Sequence, residues 1–150
     1  MCPLETPRPT EGSAFKSAFH YLGRRDHSVA ELRAKLRRKG YPMAEVDSAI
    51  DRLLERGYLN DETYATALIV RRSTTRGRIA IAAELATKGV SRELIEEQLS
   101  SRLSHADQLR AALLVAEGWP DLDPARLSGR LQRRGFDGSV IQSVLEQARS

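Results

Sequence analysis

Five of the seven residues from Arg33 to Lys39 are basic: Arg33, Lys35, Arg37, Arg38 and Lys39. On a helix advancing 100° per residue, Val29, Leu32 and Leu36 share a narrow stripe and the five cations fan around the rest. Such a fan can neutralise phosphates without reading bases. It can also meet the carboxylates of a protein partner, or simply keep a helix solvated. Arg24 and Arg25 precede it, Arg71, Arg72, Arg76 and Arg78 form a second cluster, and Arg130, Arg133 and Arg134 a third. One cluster alone reads as a solvated face, whereas three along one chain point to an extended contact surface for a polyanion or an acidic protein.

Base-specific reading is disfavoured. The stretch "ELRAKLRRKGYPMAEV" has the outline of a helix-turn-helix, whose second helix would enter the major groove. That second helix carries Glu45, Asp47 and Asp51, and its later counterpart "SRELIEEQL" carries Glu93, Glu96 and Glu97. Phosphates repel such faces. Catalytic chemistry has little support either. His20, His27 and His105 are dispersed, and Cys2 is the single cysteine, so neither a disulfide nor a zinc cluster is expected. "STTRGRIA" lacks the glycine and lysine spacing of a phosphate-cradling loop. Trp119, in "EGWPDLDP", reads as a loop anchor, with ligand stacking as the weaker alternative. No catalytic residue, cofactor or metal ligand is expected, and the chain reads as a non-enzyme.

The elements that must position these charges follow from composition and periodicity. The chain has 150 residues, net charge +4, 41% hydrophobic and 5% aromatic residues. No strand-like alternation of valine and isoleucine occurs, so an all-α fold is expected. Residues 15–60 hold ten Lys and Arg against six Asp and Glu, while residues 105–150 balance at six of each. Apolar runs such as "YATALIV" are far shorter than the ~20 residues needed to span a bilayer. "MCPLETPRPTEG" has no apolar core and does not resemble a signal peptide. Residues 1–14 are expected to be a disordered tail and the protein cytoplasmic.

A repeat emerges on aligning Gly40, Gly89 and Gly135. Eight residues earlier stand Leu32, Ile81 and Leu127; four earlier, Leu36, Leu85 and Leu131. One residue later come Tyr41, Val90 and Phe136; six later, Val46, Ile95 and Ile141; ten later, Ile50, Leu99 and Leu145. Each glycine fits a Schellman helix stop, in which a left-handed residue ends the helix and the next side chain packs back one turn. Gly57 with Tyr58 repeats the device, and the expected contacts are Leu36–Tyr41, Leu53–Tyr58, Leu85–Val90 and Leu131–Phe136. Ser28 with Glu31 forms a capping box, Asn60 and Ser91 suit N-caps, and Pro42 and Pro124 suit first-turn positions. The expectation is three tandem three-helix repeats, about nine helices, at 15–60, 61–104 and 105–150. Modules of roughly 45 residues are too small to be robust alone, so an elongated, curved array follows.

The ordered series "HSVAELRAKLRRKGY", "AIDRLLERGYLNDETYA", "RGRIAIAAELATKGVSRELIEEQL" and "LQRRGF" resembles the RecX family, from about Ala14 to Leu145. Two departures stand out: the charge-balanced last module, and Ala80 where the family pattern carries a basic residue. The resemblance implies a non-enzymatic, cofactor-free modulator, mainly a negative regulator, of the recombinase RecA. Its partners would be RecA and RecA filaments on single-stranded DNA. It would limit filament extension, ATPase and strand exchange in recombination and DNA repair. Single-stranded DNA would be the first nucleic-acid partner and double-stranded DNA the second, with no membrane or metal involved and a monomeric state. The alternative is a helical repeat protein that binds nucleic acid directly and without sequence preference.

Overall fold

Nine α-helices and no strand occur among the described residues, 11–148, of a computed structural model. They are α1 (Glu11–Arg24), α2 (Val29–Arg38), α3 (Met43–Glu55), α4 (Asp61–Arg72), α5 (Arg78–Thr87), α6 (Arg92–Arg102), α7 (His105–Glu117), α8 (Pro124–Arg133) and α9 (Gly138–Ala148). The expected all-α architecture of successive helix triplets is therefore present. Helix α1 starts at Glu11, inside the stretch 1–14 expected as a tail, and Ala14 is already fully buried, giving that turn a packing reason to be helical. Residues 1–10 of the expected tail, Cys2 among them, lie outside the described residues.

The chain packs as two units, one running to Tyr64 and including Lys88–Val90, the other holding Ala65–Thr87 and the residues from Ser91 onward. In the first unit α1, α2 and α3 enclose Ala18, Leu32, Leu36, Val46, Ile50, Leu53 and Leu59, bordered by Phe15, Tyr21, Leu22, Val29 and Tyr41. The apolar stripe of α2 is thus the face that meets the core. Full burial of a leucine such as Leu36 contributes roughly 1.5–3 kcal/mol. In the second unit α7, α8 and α9 close around Ala111, Ala112, Leu127, Leu131, Phe136, Val140, Ile141 and Val144. There α4 is tied to α5 by Arg72 and Glu84, and to α6 by Thr66 Oγ1 donating to Gln98 Oε1 at 3.0 Å.

Helix starts are fixed largely as the spacing predicts. Ser28 and Glu31 form a reciprocal capping box on α2, Asn60 Oδ1 accepts from Glu62 N–H at 2.8 Å, and Ser91 Oγ accepts from Leu94 N–H at 3.2 Å. Ser104 and Asp107 form a further box opening α7. Pro124 occupies the first turn of α8, but Pro42 stands one residue outside α3 as its N-cap, with extended ψ of 149°.

The helix stops are real. Gly40, Gly57, Gly89 and Gly135 all have positive φ, at 101°, 75°, 79° and 88°. Tyr41, Tyr58 and Phe136 N–H donate to the carbonyls of Leu36, Leu53 and Leu131 at 3.3, 3.0 and 3.2 Å, the long bond of the Schellman motif. Tyr41 and Phe136 then fold onto the cores that hold Leu36 and Leu131, and Leu85 and Val90 are both buried. Tyr58 differs: its ring is 55% exposed and meets Phe19 edge-on at 5.3 Å. Leu59, also bonded back to the Leu53 carbonyl, is the buried residue after that turn.

Two of the stops are also seats. In the first unit the Lys88 carbonyl accepts from Ser28 Oγ at 2.5 Å, and a Cβ on Gly89 would overlap the Cβ of Ala30. In the second unit the Arg134 and Gly135 carbonyls accept from Gly77 and Ile79 N–H, each at 3.0 Å. A Cβ on Gly135 would overlap Ala80, and one on Gly77 would overlap the Phe136 backbone. The second seat therefore joins the free carbonyls of one helix end to the free backbone donors of a helix start, whereas in the first a serine hydroxyl satisfies the carbonyl. Gly40 has no such neighbour. Gly40→Ala should cost only the left-handed strain, roughly 1–2 kcal/mol, whereas Gly135→Ala should cost distinctly more because Ala80 must also move. Urea unfolding of the two variants checks this, and equal losses would refute it.

Candidate interface of basic residues

The structure sorts the arginines and lysines by what already neutralises them. In the first unit Arg25 Nη2 reaches Glu31 Oε2 at 3.0 Å, and Lys88 Nζ approaches the same oxygen at 3.7 Å. Burial alone would raise the pKa of Glu31. The Arg25 hydrogen bond, the Ser28 N–H and the charges of Arg25 and Lys88 outweigh it and bring it to about 2. Arg33 pairs with Asp47 at 3.5 Å on α3. The two acids thus claim Arg25, Lys88 and, from the fan, Arg33 for architecture.

Lys35 is held by an unexpected partner. Its Nζ lies 2.8 Å from His27 Nε2, and both Lys35 and Lys39 sit over the Tyr21 ring, at 5.1 and 5.6 Å from its centroid. His27 is buried, with Nδ1 2.9 Å from the Arg25 carbonyl. A carbonyl only accepts, so Nδ1 carries the proton and Nε2 is the acceptor for the ammonium. Burial lowers the pKa of His27, and the nearby cations Arg25 and Lys35 push the same way, against the Arg25 carbonyl and Glu31.

The remaining cations of the fan are less committed. Arg24 and Arg37 are exposed without an ion pair among the described residues, Arg38 makes one long bond to the Ala34 carbonyl at 3.5 Å, and Lys39 Nζ donates to Ser17 Oγ at 3.4 Å. Packing also builds a second aromatic and cationic edge in this unit. Phe15 stacks with Phe19, and Arg52 and Arg56 of α3 lie 4.3 and 5.4 Å from the Phe15 centroid. Phe15, Phe19, Arg52 and Arg56 are visible in the sequence as residue types, but only α1–α3 packing brings them together.

In the second unit the cluster at 71–78 divides. Arg72 grips Glu84 through Nε at 3.1 Å and Nη2 at 3.0 Å, and Arg76 adds a contact at 3.7 Å. Arg78 is half-buried, its N–H donating to Gln108 Oε1 at 3.4 Å, while Arg71 is exposed with no ion pair among the described residues. Arg130 and Arg134 lie over the Trp119 ring at 5.0 and 5.5 Å, and Arg133 lines the same recess. The expected third cluster is therefore assembled, with the tryptophan as its support. Among the described residues no group of three or more His, Cys, Asp or Glu side chains could hold a metal, and no helix is long and apolar enough to cross a membrane.

Nine helices among the described residues, in successive triplets with basic faces only partly neutralised, define a protein of tandem three-helix domains. Residues 14–53 match the first three-helix domain of RecX and residues 60–99 match the second. Regulatory protein RecX of Trichlorobacter lovleyi is 33% identical over 89% of this chain and 94% of its own length. That of Pelodictyon phaeoclathratiforme is 36% identical over 88% of this chain and 86% of its own. The chain belongs to the RecX family, whose members are named as regulatory proteins. A crystal structure of RecX from Lactobacillus salivarius shares the fold, with TM-score 0.83 at 18% identity over 91% of this chain and 95% of that one.

Two tests follow from the way these charges are held. In the folded protein His27 binds its proton less tightly than the unfolded chain, whose histidine titrates near pH 6.5. Below that pH the unfolded state takes up more protons, so stability falls as pH drops through 6.5. Urea unfolding at pH 7.5 and 5.5 should show this loss, and His27→Gln should reduce it; a pH-independent wild type would count against it. Arg72→Ala should cost about 1–2 kcal/mol after allowance for its partial exposure, and Arg71→Ala less than about 0.5 kcal/mol. Paired thermal melts of the two variants measure the difference, and equal shifts would contradict the sorting.

Proposed function

We propose that the protein is a modulator of the recombinase RecA, mainly a negative one, acting on RecA and its filaments on single-stranded DNA. On this reading it limits filament extension, ATPase and strand exchange in recombination and DNA repair, works in the cytoplasm as a monomer, and carries out no catalysis of its own. The observation that carries the reading is membership in a family of regulatory proteins. The geometry supports it by leaving Arg24, Arg37, Arg38 and Arg71 without a neutralising carboxylate among the described residues. Three successive modules, 15–60, 61–104 and 105–150, would present such cations to neighbouring protomers of a filament. A binding surface built from several modest modules gains affinity by linkage, since each contact raises the effective concentration of the next.

A second reading is direct, sequence-independent binding of nucleic acid, favoured by the same exposed cations. The acidic residues Glu45 and Asp51 on α3 keep base recognition out of it.

The decisive experiment measures DNA-dependent RecA ATPase and strand exchange with substoichiometric amounts of this protein. Inhibition well below one protein per RecA is expected, as for an agent that stops filament growth, and Arg37→Glu with Arg38→Glu should weaken it about tenfold or more. Absence of both inhibition and filament binding would sink the reading. Simple competition for DNA would instead require stoichiometric amounts and weaken with salt by roughly 0.7 log units of affinity per log unit of salt for each phosphate contact.

A further inference from the structure

Trp119 stands in the α7–α8 connection of the second unit, beside two adjoining recesses. One, of about 240 Å³, is lined by Trp119, Arg130, Arg133 and Arg134. The other, of about 400 Å³, is lined by Thr74, Thr75, Leu114, Val115, Gly118, Trp119 and Arg134. The three arginines lie at the end of α8, with Arg130 and Arg134 one helical turn apart, and all are exposed. None of them forms an ion pair among the described residues.

Three features make this more than a solvated helix end. An indole attracts a guanidinium without taking its N–H groups, which stay free to grip phosphate oxygens bidentately. The indole also restricts the arginines before any ligand arrives, so less rotamer freedom is lost on binding. Finally, the carbonyls at the end of α8 and just beyond it are already taken, Arg130, Leu131 and Gln132 by Arg134, Phe136 and Gly135 N–H and Arg134 and Gly135 by Gly77 and Ile79 N–H, so they do not compete for the arginine side chains. The positive charge is left available to a ligand.

We propose that Trp119, Arg130, Arg133 and Arg134 form a site for single-stranded nucleic acid, with phosphates on the guanidinium edges and a base in the adjoining recess. That recess is lined by the apolar Leu114 and Val115 beside the indole, together with the polar Thr74 and Thr75. A flat base with polar edges fits such a lining, and stacking tolerates any sequence. An acidic peptide would use the arginines and leave the apolar wall unused. The site deepens the DNA contact of the proposed function, but it does not depend on RecA binding.

Trp119 is the only tryptophan of the chain, so its fluorescence reports this site alone. The full-length protein is titrated with oligo-dT, an abasic oligonucleotide of equal length, poly-glutamate and inorganic phosphate, while anisotropy of labelled oligo-dT follows total binding. Oligo-dT should quench the tryptophan and the abasic strand should bind several-fold more weakly. Poly-glutamate and phosphate should leave the signal unchanged at matched ionic strength. Arg130→Gln with Arg134→Gln should lower oligo-dT affinity about tenfold and reduce its salt slope, with an unchanged melting curve; Trp119→Phe should retain part of the anisotropy-detected affinity. Equal quenching by poly-glutamate would overturn the proposal in favour of an acidic protein partner. Oligo-dT binding without quenching, lost in Arg37→Glu with Arg38→Glu but not in the Arg130 and Arg134 variant, would overturn this site while leaving the DNA reading intact. No binding of oligo-dT would overturn both this site and direct DNA binding, whereas the RecA assay would still stand alone.

Discussion

The arrangement depends first on a backbone constraint: a helix ends with carbonyls that nothing inside the helix can satisfy, and another begins with donors in the same condition. Where Gly135 takes the left-handed turn, the two deficits cancel, because the Arg134 and Gly135 carbonyls face Gly77 and Ile79 N–H. The approach is so close that Gly135 and Gly77 have no room for a Cβ, and the residue that fills the contact is Ala80. Steric demand explains why a small side chain suits position 80. The pairing of Ser28 with the Lys88 carbonyl solves the same problem in the first unit, with a hydroxyl in place of a backbone donor.

Charge is distributed under that backbone frame by proximity to carboxylates. Glu31 and Glu84 each gather two cations, Arg25 with Lys88 and Arg72 with Arg76. Those four residues serve the packing of their own units. Aromatic rings hold a different set, with Tyr21 under Lys35 and Lys39, Phe15 under Arg52 and Arg56, and Trp119 under Arg130 and Arg134. The distinction is chemical. A carboxylate neutralises a cation, but a ring orients it and leaves its charge in place. Net charge per segment therefore misjudges the third cluster: residues 105–150 balance in number, yet among the described residues Asp107 and Asp123 pair with Arg110 and Arg126, and no carboxylate pairs with the arginines around Trp119.

Much of the scaffold was legible because its rules are local. A left-handed glycine, a serine with glutamate three residues on, and a leucine stripe each depend on a few neighbouring residues, so Gly40, Ser28 and Leu36 could be placed from spacing alone. The misses involve choices local rules leave open. The turn at Gly57 has the right bond to Leu53, but which of Tyr58 and Leu59 enters the core depends on Phe19 offering Tyr58 a ring outside it. Pro42 fixes φ whether it is the last extended residue or the first helical one, and its ψ of 149° selects the former. The basic candidates were visible as residue types, while their sorting into paired and available cations required partners many residues away. His27 is the clearest case: nothing in its spacing marks it as the acceptor for Lys35.

Equal motifs consequently acquire unequal roles. Gly40, Gly89 and Gly135 obey one backbone rule, but only the last two receive another helix start, and Gly40 stays open among the described residues. The start of α8 shows the complementary inequality. Asp123 turns its carboxylate to Arg126 N–H, and Pro124 has no N–H at the position where Arg78 of α5 donates to Gln108, so this start is satisfied within its own first turn. A repeat in sequence fixes how each helix begins and ends. What each end then does is set by the donors, side-chain volumes and charges that its own unit brings against it, and in this chain the residues that decide it are as small as Ala30 and Ala80.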